Sequence, residues 1–293
     1  YYTDELIEQV TDALKEEFGY TDTQASNLLF SGGLQIETPQ DPAIQAIVDE
    51  EINNPENYDA ARLSVEYRLS ITHADGTTEH FSQETMRTYF RQVKGKTSYD
   101  GLFDSEAEIQ AAIDEYKASL LKDGDKIIGE SSNITLQPQA SFVLIEQSTG
   151  YVKAISGGRG EKKASRTLNR ATNTLKQPGS PFKVITAFAP AIDTCGATLA
   201  SVYYDAPYTV GSKTFKNWWG GDYKGYHSIR DGIVYSMNII ALRCMAETVT
   251  PQLGVEYAEK LGITSLVSSD LNLSTALGGI TKGVSTLELT NAF

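Results

Sequence analysis

Cysteine is scarce in this sequence, which has only Cys195 and Cys244 among its 293 residues. The two form no C-x-x-C pair, and no set of His, Cys, Asp and Glu residues has the spacing of metal ligands. This excludes a disulfide framework and predicts no metal and no cofactor. A single disulfide between Cys195 and Cys244 is still possible from the sequence. We expect two inert thiols instead, because free cysteines are commonly buried.

Long apolar runs are also missing. No run approaches the ~18 residues that a membrane span needs. The chain opens with YYTDELIEQV, without the Met and basic segment of a signal peptide. It stops abruptly at LELTNAF. We therefore expect a fragment of a longer protein.

Basic residues are the minority, with 25 Lys and Arg against 38 Asp and Glu and a net charge of −13. This balance excludes a general nucleic-acid binder, which needs a basic face. The charge is uneven, however, because residues 151–183 carry eight Lys or Arg against one Glu. A basic stretch is therefore expected in the second half of an acidic chain.

Hydrophobic periodicity predicts both helices and strands. The predicted helices are 3–18, 21–30, one that Asp41 caps, 104–122, 180–193, 228–247, 251–261 and 284–293. The predicted strands are 34–38, a hairpin over 62–82, 126–130, and a strand–turn–strand from 141 with its turn at Thr149-Gly150. Paired strands followed by a mainly helical segment predict an α+β fold and no βαβ repeat.

The segment Gln177–Lys183, with the sequence QPGSPFK, is the most informative for chemistry. Ser180 suits a helix N-cap and Pro181 the first helical position, so Ser180 and Lys183 share a helix face. A serine hydroxyl is a weak nucleophile until a base accepts its proton, and a desolvated lysine can be that base. The alternative is a capping serine with a surface lysine, because a lone S-x-x-K occurs by chance in most proteins.

A second motif is Ser236-Met237-Asn238, within an apolar helical stretch. Buried polar groups need partners. A serine hydroxyl there can relay a proton to a leaving amine, and an Asn238 amide can hold a lysine and a substrate carbonyl. Ordinary helix N-capping is the alternative if the triplet is taken alone.

An S-x-x-K motif followed by S-x-N is the order of the serine β-lactamase and penicillin-binding-protein group. Longer segments resemble the class A, bifunctional penicillin-binding proteins: GLQIETPQDPAIQ at 33–45, ASFVLIEQSTGYVKAISGG at 140–158, SRTLNRATNTLKQPGSPFKVITAFAPAID at 165–193 and TALGGITKGVSTLELTNAF at 275–293. The resemblance covers about 1–55 and 136–293. Pro181 stands where threonine is commoner, and Pro39-Gln40 replaces the usual pair before Asp41.

The resemblance implies an α+β transpeptidase fold of the penicillin-binding and serine β-lactamase type, truncated at its C-terminus. It implies three segments: 1–58 as linker and start of the transpeptidase region after a glycosyltransferase domain, 59–135 as an insert of unknown role, and 136–293 as the N-terminal part of the transpeptidase domain. The third motif of the group, K-[ST]-G, is absent in its expected order and would follow Phe293. We therefore expect this piece alone to be inactive.

The implied activity is DD-transpeptidation of peptidoglycan stem peptides that end in D-Ala-D-Ala, with β-lactams as inhibitors. The resemblance assigns Ser180 as nucleophile, Lys183 as base, Ser236 as proton relay, and Asn238 as the group that orients Lys183 and the substrate amide. It places the full-length protein, membrane-anchored, at the extracytoplasmic face of a bacterial membrane. No nucleic-acid partner is expected.

Two alternatives remain open from the sequence. The first is a DD-carboxypeptidase or a serine β-lactamase-like hydrolase, which uses the same Ser–Lys chemistry with water as acceptor. The second is a non-catalytic, β-lactam-sensing module. A penicillin adduct that turns over rapidly would indicate the hydrolase, whereas a long-lived adduct would indicate the transpeptidase. A Ser180→Ala variant that still cross-links stem peptides would overturn the nucleophile assignment.

Overall fold

The computed structural model describes residues 1–293, which divide into two compact units. Unit 1 comprises Tyr1–Val48, Ser141–Gly157 and Ser165–Phe293, and unit 2 comprises Asp49–Ala140 and Gly158–Ala164. The candidate residues Ser180, Lys183, Ser236 and Asn238 therefore all lie in unit 1.

The chain forms ten α-helices and ten β-strands, connected by short π- and 3-10-helical turns. The α-helices are α1 (Tyr2–Phe18), α2 (Asp22–Ser31), α3 (Pro42–Asn53), α4 (Gln83–Thr88), α5 (Glu106–Leu120), α6 (Ala189–Thr194), α7 (Ile229–Val234), α8 (Asn238–Cys244), α9 (Pro251–Lys260) and α10 (Thr286–Ala292). The strands are β1 (Arg62–Thr72), β2 (Thr78–Ser82), β3 (Leu102–Phe103), β4 (Lys126–Gln137), β5 (Phe142–Glu146), β6 (Tyr151–Ser156), β7 (Val202–Asp205), β8 (Tyr208–Val210), β9 (Lys213–Phe215) and β10 (Gly225–Ser228). The π-helical turns are Tyr89–Val93, Val184–Phe188 and Met245–Val249.

Unit 2 is built on a four-stranded antiparallel sheet in which β1 pairs with β2, β3 and β4. Alternate residues of β1 are buried because successive side chains of a strand point to opposite faces. They pack with side chains of α4 and α5 in one core cluster. The predicted hairpin is confirmed, with Asp75-Gly76 in its turn, whereas β4 is much longer than the predicted strand 126–130.

The main core of unit 1 surrounds α8. Ile239, Ile240, Ala241 and Leu242 are all fully buried, so the middle of this short helix is surrounded by the core. Antiparallel β5 and β6 form the predicted strand–turn–strand. The N-terminal helix α1 ends as expected at Gly19, whose φ of +65° is a left-handed conformation that glycine adopts without strain.

Three of the predicted elements are corrected. Residues 34–38 form no strand, because Leu34 and Ile36 are exposed and no neighbouring strand supplies hydrogen bonds. The predicted helix 228–247 is divided into α7, α8 and a π-helical turn. The predicted helix 180–193 includes another π-helical turn, since Pro190 has no N–H for the carbonyl of Thr186.

Candidate active site

The turn that holds Ser180 leaves its hydroxyl open to solvent. Gly179 precedes it with a φ of +65°, and the helical turn begins with hydrogen bonds from Phe182 N to Gly179 O (3.1 Å) and from Lys183 N to Ser180 O (3.1 Å). Phe182 is fully buried and fixes the turn to the protein interior. The backbone N–H of Ser180 donates to no acceptor within the protein, so it is available to an oxyanion.

Lys183 is the most unusual titratable residue of this region, because it is only 2% exposed. Its Nζ donates to the carbonyl oxygen of Ser236 (2.7 Å) and to the hydroxyl Oγ of Ser236 (2.9 Å). No carboxylate forms an ion pair with it. Burial without a counter-charge disfavours the ammonium form and lowers the pKa of Lys183 to about 8.

Ser236 lies in the bend between α7 and α8, with a φ of +49° that side chains rarely adopt. The bend is fixed by hydrogen bonds from Ser236 N to Ile233 O (3.2 Å) and from Met237 N to Gly232 O (2.9 Å), and by the fully buried Met237 side chain. This conformation directs both the carbonyl and the hydroxyl of Ser236 toward Lys183. Local backbone strain of this kind is held in place by surrounding packing and is concentrated at functional sites.

Asn238 is the first residue of α8, and its side-chain Nδ2 donates to the carbonyl oxygen of Lys216 (2.9 Å). The side-chain amine of Lys183 donates hydrogen bonds to Ser236 alone. Lys183 and Ser236 are therefore directly hydrogen-bonded, whereas the Asn238 side chain is bonded to Lys216. Ser180 and Lys183 share the first helical turn, but their side chains are not hydrogen-bonded to each other.

The segment from Thr275 to Val284 packs against the residues that lead into the Ser180 turn. Lys176 and Val284 exchange backbone hydrogen bonds (3.0 and 2.8 Å), and Gln177 Nε2 donates to Ile280 O (2.9 Å). A Cβ atom on Gly278 would lie 2.3 Å from the carbonyl oxygen of Gly179, so the two backbones are in contact. The two quoted segments, 165–193 and 275–293, therefore form one structural site.

Comparison with known proteins identifies the family to which these site residues belong. The family profile described as penicillin binding protein transpeptidase domain matches residues 140–287. The chain belongs to this family. The match contains Ser180, Lys183, Ser236 and Asn238, and it confirms the resemblance drawn from the sequence.

Curated relatives agree with this transpeptidase-domain assignment. Penicillin-binding protein 1A of Clostridium tetani is 30% identical over 79% of this chain and 29% of that protein. Penicillin-binding protein 1A of Clostridium botulinum strain Hall is 26% identical over 98% of this chain and 27% of that protein. The chain thus spans less than a third of the length of these relatives.

Solved structures show the same fold for the transpeptidase domain. The penicillin-binding protein PonA1 from Mycobacterium tuberculosis superposes with a TM-score of 0.53 at 18% identity, over 94% of this chain and 52% of that one. PonA1 in complex with penicillin V gives a TM-score of 0.54. The predicted α+β transpeptidase fold is confirmed.

Lys216 and Asn217, which the sequence did not single out for a role in this site, form with Trp218 a segment that we call the strap (Lys216–Trp218). Besides the bond from Asn238, the strap receives a hydrogen bond from Ile239 N to Asn217 Oδ1 (3.2 Å). Asn217 is buried and its Nδ2 donates to the buried carboxylate of Asp205 (2.8 Å). Neither Asn217 nor Asp205 belongs to a sequence motif, and their contact forms only when the chain folds.

Cys195 is exposed and Cys244 is buried, and both are free thiols. His, Cys, Asp and Glu side chains form no group of three or more that is arranged to hold a metal ion. None of the helices combines the length and the apolar character needed to span a membrane.

Proposed function

We propose that this domain catalyses peptidoglycan DD-transpeptidation through an acyl-enzyme at Ser180, and that β-lactams acylate the same serine. The observation that carries the proposal is the buried Lys183 amine, which meets only oxygen atoms of Ser236 and lies one helical turn from the exposed Ser180. Family membership supports the reaction class.

In the acylation step, Ser180 Oγ attacks the carbonyl carbon of the penultimate D-Ala of a stem peptide. Lys183 in its neutral form accepts the hydroxyl proton. The pKa of about 8 makes that form available near neutral pH, because burial raises the neutral fraction roughly 300-fold over an ordinary lysine with a pKa of 10.5. The free N–H of Ser180 donates to the oxyanion that develops on the carbonyl oxygen.

In the collapse of the tetrahedral intermediate, the C–N bond to the terminal D-Ala breaks. Ser236 Oγ, at 2.9 Å from Lys183 Nζ, passes a proton to the leaving amine and is resupplied by Lys183. An amine of a neighbouring stem peptide then attacks the acyl-enzyme, which forms the cross-link and releases Ser180. The side-chain oxygen Oδ1 of Asn238 accepts a hydrogen bond from the substrate amide N–H, because its Nδ2 is already bonded to the strap.

The full-length protein is proposed to act at the extracytoplasmic face of a bacterial membrane, to which it is anchored. We also propose that residues 1–58 connect to a glycosyltransferase domain and that 59–135 are an insert in the transpeptidase region. Arg166, Arg170 and Lys176 precede Ser180 in the chain, and their charge is proposed to attract the carboxylate of a stem peptide over long range.

The test is labelling of the full-length protein with a fluorescent penicillin, followed by intact-mass measurement and peptide mapping. We expect a long-lived adduct on Ser180, no adduct in the Ser180→Ala variant, and wild-type labelling of a matched Ser165→Ala variant, whose serine is also exposed. Rapid release of hydrolysed penicillin would indicate a hydrolase. Labelling of a Ser180→Ala variant would contradict the nucleophile assignment.

A further inference from the structure

Asp205, the last residue of β7, is a buried carboxylate that no Lys or Arg side chain neutralises. It is only 1% exposed. Each of its oxygens accepts one hydrogen bond, Oδ1 from Nδ2 of Asn217 (2.8 Å) and Oδ2 from the backbone N–H of Lys224 (3.0 Å). Burying a charged group is costly unless its hydrogen bonds are satisfied, so both contacts are needed. The proposed mechanism does not use this carboxylate, yet its contacts lead to Asn238.

The carboxylate determines which way the Asn217 amide faces. An ionised carboxylate only accepts hydrogen bonds, so the Nδ2 of Asn217 must point to Asp205 and its Oδ1 must point away. That Oδ1 accepts from the backbone N–H of Ile239 (3.2 Å), the second residue of α8. The helix has no cap of its own, because Met237 at the N-cap position forms no side-chain hydrogen bond. Asn217 thus supplies from a distant segment the acceptor that a helix start requires.

The same segment orients the side chain of Asn238. The carbonyl oxygen of Lys216, directly before Asn217, accepts from Asn238 Nδ2 (2.9 Å). On the other side of the bend, Trp218 Nε1 donates to the carbonyl oxygen of Tyr235 (3.0 Å), so the strap is held at both ends. With its Nδ2 engaged, Asn238 has its Oδ1 without a partner in the protein and free for a substrate N–H. Flipping the amide would exchange these two roles.

We infer that Asp205 is a positioning residue of the proposed acylation: through Asn217 and the strap, its carboxylate determines that Asn238 presents an oxygen to the substrate. The inference rests on the proposed function, in which this oxygen accepts the substrate amide N–H. Asp205 itself contacts no substrate and exchanges no proton.

The first test is an Asp205→Asn substitution in the full-length protein. The introduced amide has a single oxygen, so it can accept from Asn217 or from Lys224 but not from both. The second-order rate of acylation by benzylpenicillin is expected to decrease about tenfold, which is the rate equivalent of one hydrogen bond. In an Asn238→Ala background the same substitution should slow acylation by less than about twofold, because no side chain remains to be oriented.

The second test exchanges the two residues, with Asp205→Asn and Asn217→Asp in one chain. The amide introduced at position 205 can donate to the carboxylate introduced at position 217, and its oxygen can accept from Lys224 N. The carboxylate at position 217 can still accept from Ile239 N. All three hydrogen bonds are kept with one donor–acceptor pair reversed, so the exchange should recover most of the wild-type acylation rate.

Tyr203→Phe is the matched control. Tyr203 is also a buried residue of β7, and the substitution removes the hydrogen bond between its hydroxyl and Thr248 Oγ1 (2.7 Å), which does not involve the strap. It should lower the melting temperature and leave the acylation rate unchanged in both backgrounds.

Three results would each overturn the inference. They are wild-type acylation of the Asp205→Asn variant, equal slowing of acylation by Asp205→Asn with and without Asn238→Ala, and an exchanged pair that stays as slow as Asp205→Asn alone. A wild-type protein that benzylpenicillin does not acylate would instead refute the proposed function.

Discussion

The contact between Gly278 and Gly179 makes the geometry of the Ser180 turn depend on a residue far along the chain. An ideal Cβ on Gly278 would lie 2.3 Å from Gly179 O, 2.5 Å from its N and 2.7 Å from its Cα, whereas ordinary contacts begin at 3.4 Å. All three neighbours are backbone atoms, so no side-chain rotation relieves the clash. In a Gly278→Ala variant the two segments must separate by roughly 1 Å, and a misplacement of about 1 Å can cost a reaction about 100-fold.

The same substitution also places alanine at a φ of +75°. The left-handed conformation costs a side-chain-bearing residue about 1 kcal/mol, and overpacking adds about 1–3 kcal/mol. We therefore expect Gly278→Ala to destabilise the domain by about 2–4 kcal/mol and to slow acylation of Ser180 about 100-fold. The second-order rate of labelling by a fluorescent penicillin and the melting curve of the full-length protein measure the two effects.

Gly279→Ala, at the adjacent position in the chain, is the control. Its Cβ would meet Ser274 O at 3.3 Å, and its φ is not in the left-handed region, so its cost should stay below about 1 kcal/mol. A Gly278→Ala variant that is labelled at the wild-type rate would refute the reasoning, because it would show that the Ser180 turn does not depend on this contact.

Three further predictions concern the proton relay and its support. Because burial lowers the pKa of Lys183 to about 8 and the neutral amine is the base, acylation should increase about tenfold per pH unit up to that pH and level off above it; a flat rate between pH 6 and 9 would contradict this. Ser236→Ala should slow acylation by about 100-fold or more while the melting temperature changes little, since the carbonyl of residue 236 still holds Lys183; unchanged labelling kinetics would exclude a relay through the hydroxyl. Asp205→Ala should destabilise the domain by about 1–3 kcal/mol, because it leaves the buried amide of Asn217 without its acceptor, and thermal melting beside the exposed-site control Asp222→Ala measures this; equal melting temperatures would refute it.

Local patterns in the sequence were sufficient for most isolated elements. The apolar spacing in 3–18, the cap at Asp41 and the turn residues Asp75-Gly76 predicted α1, α3 and the β1–β2 hairpin, because each of these signals acts within a few neighbouring residues. The elements that were predicted wrongly depend on partners elsewhere. Residues 34–38 alternate like a strand but have no strand to pair with.

The same limit applies within the site. The S-x-x-K and S-x-N motifs identified Ser180, Lys183 and Ser236, and the predicted long helix over 228–247 missed the bend that makes Ser236 useful. Lys183, 53 residues earlier, donates to both oxygen atoms of Ser236 and so adds to the hydrogen bonds that fix that bend. Helical periodicity carries no information about such a contact.

The family, the α+β class and the residue types that the chemistry requires follow from the amino-acid sequence alone, because motifs and hydrophobic periods are local patterns that one chain contains. The burial of Lys183 without a counter-charge, the hydrogen bond from Asn238 to the strap and the exposure of Trp218 beside Ser236 result from folding. Burial, desolvation and hydrogen-bond partners are set by segments that are distant in the chain and meet only when it folds.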